Sequence, residues 1–600
     1  MSGTITNRRI KRILFIQPPA FSWRLNRLDI NPNPPMGAAY MAAVLEREGY
    51  EVGILDAFVE GWFRDPVPLE DDPENIPFDA VERVGLSFKE IAARIEAFKP
   101  DVIGITNLFT CQRKNAHTVC RIVKEIDRDI IVVIGGKNPT ALTDVTMQDP
   151  NIDFAIRGEG EATMLQLLRA VEQGQDFATI DGVAYRDADG TLRVNPKTQF
   201  IDDMDTIPFP ARHLLPMELY FDAAIAHGGS LINRRYASVI TSRGCPAECF
   251  FCSAHGSMGY KFRYRSVENV LAEIDELVKT YQIGEILFED DNLTMHRERA
   301  KRLCNALIER NYNLTWDTPN GLMAITLDNE LLLKMKQSGC YRVNLAIESG
   351  NQHVVNNVIR KPLDLKKVPP MIDYARSIGL QVGLYLVIGN PGETLDQMRE
   401  SYLFARKSKV FPHVSVAMPL PGTELLEIAQ KNGYLVDGFS WENLTINQYS
   451  MHTPDWSVEE LKALKSVEEL KLRVFLAPQF IGKVFRSLIE RPASTLSTIA
   501  VTLTKTSKRD TYSYLNFRWI LKGLLYEIRD WFRRLKTTPQ SEEMPDRPRV
   551  LRDSALIQFP KWDHKPSKDA PDHVETAMPL VLPEEHAWTL RRSGKAAQRH

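Results

Sequence analysis

The sequence predicts an α/β protein in three parts: a doubly wound parallel sheet, a partial (β/α)6 barrel and a helical C-terminal extension. Two observations predict it. Short apolar runs alternate with segments of helical period in two successive series, and residues of unusual chemistry gather where those runs end. The boundaries that follow are residues 1–181 for the first domain, 182–232 for a linker and 233–436 for the barrel. Residues 437–536 form the helical extension, and 537–600 are a tail rich in proline and charge, expected to be disordered.

The first series opens with an apolar run at 12–16 that ends in Gln17-Pro18-Pro19, followed by helical spacing over 36–48 before Gly49. Further strands are expected at 52–55, 102–106, 130–134 and 153–156, with helices at 113–126 and 162–171. The fourth strand runs into Gly135-Gly136 and the fifth into Arg157-Gly158-Glu159-Gly160-Glu161. A doubly wound sheet binds its ligand beyond the carboxyl ends of its strands, so these exits are the candidate site.

Short strands and Ile207-Pro208-Phe209-Pro210 mark the linker. The second series then places strands at 237–241, 285–289, 314–317, 342–347, 381–388 and 414–418, with helices at 267–281, 297–310, 328–338 and 395–409 among the intervening segments. Each strand exit carries polar or glycine-rich text. These are the cysteine loop, Asp290-Asp291-Asn292, Pro319-Asn320-Gly321, Glu348-Ser349-Gly350, Gly389-Asn390-Pro391-Gly392-Glu393 and Pro419-Leu420-Pro421-Gly422-Thr423. Parallel barrels concentrate chemistry at that end, so six exits point at one site.

Composition excludes several classes. A formal net charge of −2 gives no whole-molecule attraction to nucleic acid or membrane, and no apolar run is long enough to span a bilayer. The polar, basic opening residues predict no secretory leader, and seven cysteines, an odd number with a cluster at only one place, do not look like a disulfide framework. A reducing cytoplasm is the expected compartment. The basic aromatic stretch 516–536 could rest peripherally on a membrane surface or pack on the barrel.

Cys245, Cys249 and Cys252 lie in Thr-Ser-Arg-Gly-Cys-Pro-Ala-Glu-Cys-Phe-Phe-Cys. Three thiolates on one loop can hold three irons of a four-iron, four-sulfur cluster and leave the fourth open to a small molecule. The rival is zinc, with His255 completing a Cys3His set, although four ligands on one tight loop would make a cramped tetrahedron. Cys111, Cys120, Cys304 and Cys340 have no ligand spacing and are expected to be small buried residues.

The C-x3-C-x2-C spacing with an aromatic before the last cysteine resembles the signature of the radical S-adenosylmethionine (SAM) superfamily. Arg263-Tyr264-Arg265-Ser266, Phe288-Glu289-Asp290-Asp291-Asn292, Ile347-Glu348-Ser349-Gly350, Pro391-Gly392-Glu393-Thr394 and Pro421-Gly422-Thr423-Glu424 are similar to one large branch of it. The resemblance implies a [4Fe-4S] cluster held by Cys245, Cys249 and Cys252, and SAM chelating the open iron for cleavage to a 5'-deoxyadenosyl radical. It also implies SAM contacts at Phe251, at Asp290 or Asp291, at Glu348 with Ser349, and at Gly389 with Asn390. The alternative for Asp290 and Asp291 is a helix N-cap. An external one-electron reductant such as flavodoxin or ferredoxin is implied as a partner, and nucleic acid is not.

Pro34-Pro35-Met36-Gly37, Gly135-Gly136 with Pro139-Thr140, and Gly158-Glu159-Gly160-Glu161 resemble the Rossmann-like cobalamin-binding domain found ahead of many radical SAM enzymes. The contacts this implies are Gln17, Pro18, Gly37, Thr106, Gly135, Gly136, Thr140, Gly158 and Glu159. Methionine-synthase-like domains supply a cobalt-ligating histidine from Asp-x-His-x-x-Gly. Here His117 stands in Asn115-Ala116-His117-Thr118 without that aspartate or glycine, so a bound cobalamin is expected to carry no protein histidine. The resemblance implies a cobalamin-dependent radical SAM enzyme, with methylation of an unactivated carbon or of phosphorus as the first reaction. Oxidative cyclisation or rearrangement with the same cofactors is the second, and a non-catalytic cobalamin or iron-sulfur sensor is the reading from another class.

Overall fold

The computed structural model describes residues 7–23, 30–64, 67–68, 81–225, 227, 231–445 and 448–490. The first sheet takes β1 (Arg12–Gln17), β2 (Glu51–Asp56), β3 (Val102–Thr106), β4 (Ile131–Gly135), β5 (Phe154–Ile156), β6 (Val183–Arg186) and β7 (Leu192–Val194) in the order β7-β6-β5-β4-β3-β1-β2. The strands β1 to β5 are parallel, and β6 and β7 join antiparallel. The short strands expected in the linker thus complete the sheet edge. Strand order reverses between β1 and β3, where Ile13 to Ile16 pair with Val102 to Ile105, and such a switch point opens a crevice at the carboxyl ends.

Both faces of this sheet are covered, so its strands are apolar throughout. Ile13 and Phe15 face the helices Met36–Arg47 and Glu161–Gln173, while Leu14, Ile16, Ile103 and Ile105 face Phe88–Phe98 and Arg113–Ile126. Ala38, Ala39, Ala42 and Ala43 are all buried in the first helix, and small side chains let it lie close on the sheet. Ser87 and Glu90 form a reciprocal capping box that starts the helix Phe88–Phe98.

The second series forms two three-stranded parallel sheets. One holds β8 (Tyr236–Val239), β9 (Glu285–Phe288) and β10 (Thr315–Asp317); the other holds β11 (Arg342–Glu348), β12 (Gln381–Ile388) and β13 (Pro412–Val416). Between β10 and β11 the backbone ladder is reduced, among the described residues, to isolated bridges, Trp316 to Cys340 and Leu322 to Leu345. Pro319, just past β10, has no N–H for a ladder and the strand stops short of it. Among the described residues β13 does not pair with β8. The six expected strands are all present as half-sheets, and the arrangement is a partial barrel. The helices Val267–Tyr281 and Arg297–Arg310 coincide with the sequence reading.

The expected helical extension is represented by one long helix, Val458–Glu490, which packs Leu461, Leu464, Leu472 and Leu476 against the barrel core. The basic aromatic stretch and the tail lie outside the described residues. Among the described residues no helix is long and apolar enough to cross a membrane.

Buried ion pairs fasten the parts together. From the linker, Arg212 meets the Glu273 carboxylate at 2.6 Å and donates to the Ser238 carbonyl at 2.7 Å, while Arg265 holds the other oxygen of Glu273. Glu273 is fully buried, so its removal leaves two buried guanidiniums short of a counter-charge. Glu273→Leu is expected to lower unfolding free energy by about 3–5 kcal/mol, read as a fall in the denaturant midpoint; an unchanged midpoint would refute that role.

Candidate functional site

The cysteine loop starts at a two-residue ribbon, Ser242–Arg243 paired with Arg263–Tyr264, and ends in the short helix Ala254–Met258. Gly244 turns it with φ +82°, and a Cβ there would lie 2.4 Å from the Lys261 carbonyl oxygen. Cys245, Cys249 and Cys252 are free and half-buried, with a tight turn closed by the Cys252 N–H on the Cys249 carbonyl at 2.9 Å. Burial pushes the Cys245 thiol up to about 11 and Cys249 up to about 12, and raises Cys252 as well. Loading iron on these thiols therefore displaces protons.

His255 is not with them. One ring nitrogen, Nε2, lies 3.1 Å from the Cys245 carbonyl oxygen and the ring stacks on Tyr260 at 4.1 Å, so it braces the loop and does not complete a Cys3His set. Among the described residues no three His, Cys, Asp or Glu side chains converge on a single ion position. A cluster does not need that convergence, because each thiolate takes its own iron.

The strand exits of the barrel surround this loop. Asp290 is buried and accepts from the Thr241 amide at 3.1 Å, the Thr241 hydroxyl at 2.8 Å and the Ser242 hydroxyl, while its Oδ2 has no protein partner. Asp291 accepts from the Gly244 amide at 3.2 Å. Neither caps the next helix, whose cap is His296, so the capping alternative is set aside. Glu348 sits at a register shift at the end of β11 with φ +64°, a costly conformation for a side chain with a Cβ. Its carboxylate is held by Lys361 at 2.6 Å, the partner a carboxylate at the barrel mouth requires.

Ser349 turns its hydroxyl to Ser401 at 3.0 Å, away from the mouth. Gly389 has φ +79° and lies under Leu461, whose Cδ2 would be 2.8 Å from an added Cβ. Asn390 is fully buried, with its amide nitrogens on Glu393 at 3.0 and 3.1 Å, and both Asn390 Oδ1 and Glu393 Oε1 lack protein partners. Phe251 stays half-buried beside Phe250, whose carbonyl accepts from Leu425 at 3.0 Å.

At the other edge, Gln17 and Thr106 bond to each other across the β1–β3 crevice, with Pro18 half-buried beside them. Gly136 has φ +121°, and a Cβ there would strike the Asn107 carbonyl oxygen at 2.5 Å. A Cβ on Gly135 would meet only Ile156 O at 3.9 Å, and one on Gly37 nothing within 4 Å, so both leave room. Thr140 accepts from the Gly158 amide at 3.0 Å and donates to Gly136 O at 2.8 Å, fixing two exits together. Asn107 and Asn138, missed in the sequence, are buried here with all four amide atoms unpartnered. Asn107 directly follows the last residue of β3, and Asn138 lies in the helix Lys137–Ala141 just past the end of β4; that placement was the available signal. His117 sits in the helix Arg113–Ile126, bonded to Asp149 at 2.7 Å.

Glu159 is held by the second series of the chain. Its carboxylate meets Arg263 at 2.7 Å and Arg243 at 3.3 Å and accepts from the Ile201 amide at 3.0 Å. Arg243 also binds Glu161 at 2.6 Å; burial pushes that carboxyl up, and the guanidinium more than reverses it, holding Glu161 below its ordinary value. The two domains are thus clamped beside the cysteine loop. The helix Lys137–Ala141 packs against Ala254–Met258, and a Cβ on Gly422 would lie 3.2 Å from Ala141, so the strand exits of the two sheets face each other.

A three-cysteine loop at the mouth of a partial parallel barrel, faced by the switch-point edge of a doubly wound domain, defines a radical SAM domain behind a B12-type domain. The B12 binding domain family matches residues 31–168 and the radical SAM superfamily matches residues 239–405. The chain is 34% identical over 493 residues to the cytidylyl-2-hydroxyethylphosphonate methyltransferase of Streptomyces wedmorensis, covering 77% of this chain and 90% of that one. It is 28% identical over 449 residues to the anaerobic magnesium-protoporphyrin IX monomethyl ester cyclase of Rubrivivax gelatinosus, covering 74% and 73%. A solved structure of the cobalamin-dependent S-adenosylmethionine radical enzyme OxsB shares the fold, with a TM-score of 0.59 at 14% identity over 89% of this chain and 82% of that one. The protein belongs to the radical SAM enzymes that carry a B12-binding domain.

The residues fit these groups. Three free thiols suit a cluster, unpartnered amides at Asn107 and Asn138 suit an amide-rich corrin, and the unpartnered oxygens of Asp290 and Asn390 suit a polar SAM. Glu393 carries a testable signature: burial lifts its carboxyl to about 7, with the Asn390 bonds pulling it only partly back. A raised folded pKa contributes stability below the unfolded value and loses it as pH rises through about 7. Glu393→Gln is expected to abolish that loss between pH 5 and 8, so the variant is the more stable at pH 8 by up to about 3 kcal/mol; parallel pH–stability curves would exclude it.

Proposed function

We propose that this protein is a cobalamin-dependent radical SAM methyltransferase that methylates an unactivated carbon, or phosphorus, of a small-molecule or lipid-like substrate. The observation that carries the reading is the facing of the two sets of strand exits, held by Arg243 between Glu159 and Glu161. The Streptomyces relative, a methyltransferase by name over nearly its whole length, supports it.

When bound, the cluster supplies the electron that cleaves SAM, and cobalamin carries the methyl group. The chain's own residues hold and enclose. Cys245, Cys249 and Cys252 would ligate the cluster; Asp290, Glu348 and Asn390 offer polar contacts to SAM at the surrounding exits. Asn107, Asn138 and the glycines 135 and 136 would seat cobalamin. The apolar packing of Leu142, Leu426, Trp441 and Leu444 between the domains closes one side of the gap against water. An external donor of the flavodoxin or ferredoxin type would deliver the electron.

The likeness to the Rubrivivax cyclase favours one second reading, oxidative cyclisation with the same cofactors. Anaerobic reconstitution with iron, sulfide, cobalamin and SAM separates them. Methyl transfer yields 5'-deoxyadenosine together with S-adenosylhomocysteine and a methylated product; deoxyadenosine without S-adenosylhomocysteine selects cyclisation. No SAM cleavage under reducing conditions would sink both and leave a sensor. Cys252→Ala is expected to abolish cluster iron and SAM cleavage while Cys304→Ala, buried behind the barrel strands, keeps both; equal iron in the two variants would refute the ligand assignment.

A further inference from the structure

We infer that Lys361 is the buried charge that sets the reduction potential of the cluster on the cysteine loop, and that Glu348 holds it there as its counter-ion. The inference rests on the cluster assignment above and adds a residue that no sequence motif indicated. Lys361 is only 5% exposed, and its ammonium donates to Glu348 Oε1 at 2.6 Å and to the Ala346 carbonyl at 2.7 Å. A buried lysine is retained only when its charge is matched.

The backbone is bent at both ends to make this pair. Glu348 has φ +64° and Arg360, directly before the lysine, has φ +65°; strain of this kind collects at functional sites. Between them a turn of π-helix, Val354–Val358, is closed by the Ile359 amide on Val354 O at 2.8 Å and brings the chain back toward β11. The same segment reaches the cysteine loop. Arg360 bonds Glu424, and the neighbouring Leu425 amide bonds the carbonyl of Phe250, which lies between Cys249 and Cys252.

The ion pair therefore lies beside the cysteine loop. Burial works against the ammonium, and the Glu348 carboxylate followed by the Cys249 thiol more than restores it. At Cys249 burial dominates, and the lysine is the first charge that opposes it, ahead of Glu348. When the cluster takes one electron from its donor, no bond forms or breaks and negative charge grows on the sulfurs. A fixed ammonium beside them favours the reduced form.

The test is an EPR-monitored redox titration of the full-length reconstituted protein without SAM, poised with dithionite and mediators. Glu348→Gln leaves the ammonium without its counter-charge and is expected to raise the midpoint above wild type. Adding Lys361→Met to it is expected to shift the reduction equilibrium at least tenfold the other way, 59 mV for a one-electron couple. Glu348→Gln with Lys361→Arg keeps the charge and should titrate with the single variant. Equal midpoints for Glu348→Gln with Lys361→Arg, whose charge cannot be lost, and for Glu348→Gln with Lys361→Met would overturn the inference. If the methionine variant binds no iron, full iron in the arginine variant upholds the role of charge, and loss of iron in both overturns it in favour of packing. Failure of the wild-type protein to give a four-iron signal would instead refute the cluster assignment, a separate outcome.

Discussion

Arg243 lies buried between Glu159 and Glu161, two residues before the first cysteine of the loop, and the relation of the two domains at the site depends on that contact. A buried guanidinium between two carboxylates adds little net stability over apolar packing, but misplacing any member strands a charge away from water. The contact therefore acts on geometry more than on stability. It permits one seating of the cysteine ribbon on the first domain, and Tyr40 beneath the guanidinium at 5.2 Å fills the remaining space. Lys137–Ala141 can then pack on Ala254–Met258, and the exits of both sheets open on one gap.

The elements themselves were legible in the chain. Helical period is a local signal, and it located the named helices within a residue or two, two of them capped by Ser266 and Thr394. The three cysteines were legible because their ligand spacing is contained in eight residues. What escaped was non-local. Lys361 stands thirteen residues beyond the carboxylate it pairs with and in no motif, and the sequence offers Glu159 as a cobalamin contact with no sign of the Arg243 and Arg263 that the fold puts next to it. Asn107 and Asn138 belong to no motif, and only their burial without partners marks them. Ser349 shows the converse: a motif position whose hydroxyl is spent on Ser401.

The division of the partial barrel into half-sheets was not legible either. Six strand–helix units predict an open or partial barrel, and the structure divides it at the short β10, where Pro319 follows and two bridges replace a ladder. The opening between the half-sheets and the absence of β13–β8 pairing among the described residues leave the mouth shaped by loops more than by strand register. That suits a site whose chemistry belongs to its cofactors, since loops can change for a new substrate while the strands that carry the cysteine and glycine exits stay fixed.

The long helix Val458–Glu490 changes what counts as an independent unit. Its Leu461 presses on Gly389, Trp456 just ahead of it is buried on the same loop, and Leu464, Leu472 and Leu476 continue the barrel core. A boundary near residue 436 is natural in sequence, but in physical terms it cuts through shared apolar packing. The barrel lacks autonomy. It borrows its last wall from downstream residues, so new variants of this architecture can be made by exchanging loops, whereas transplanting the barrel alone would carry an exposed apolar flank into its new setting.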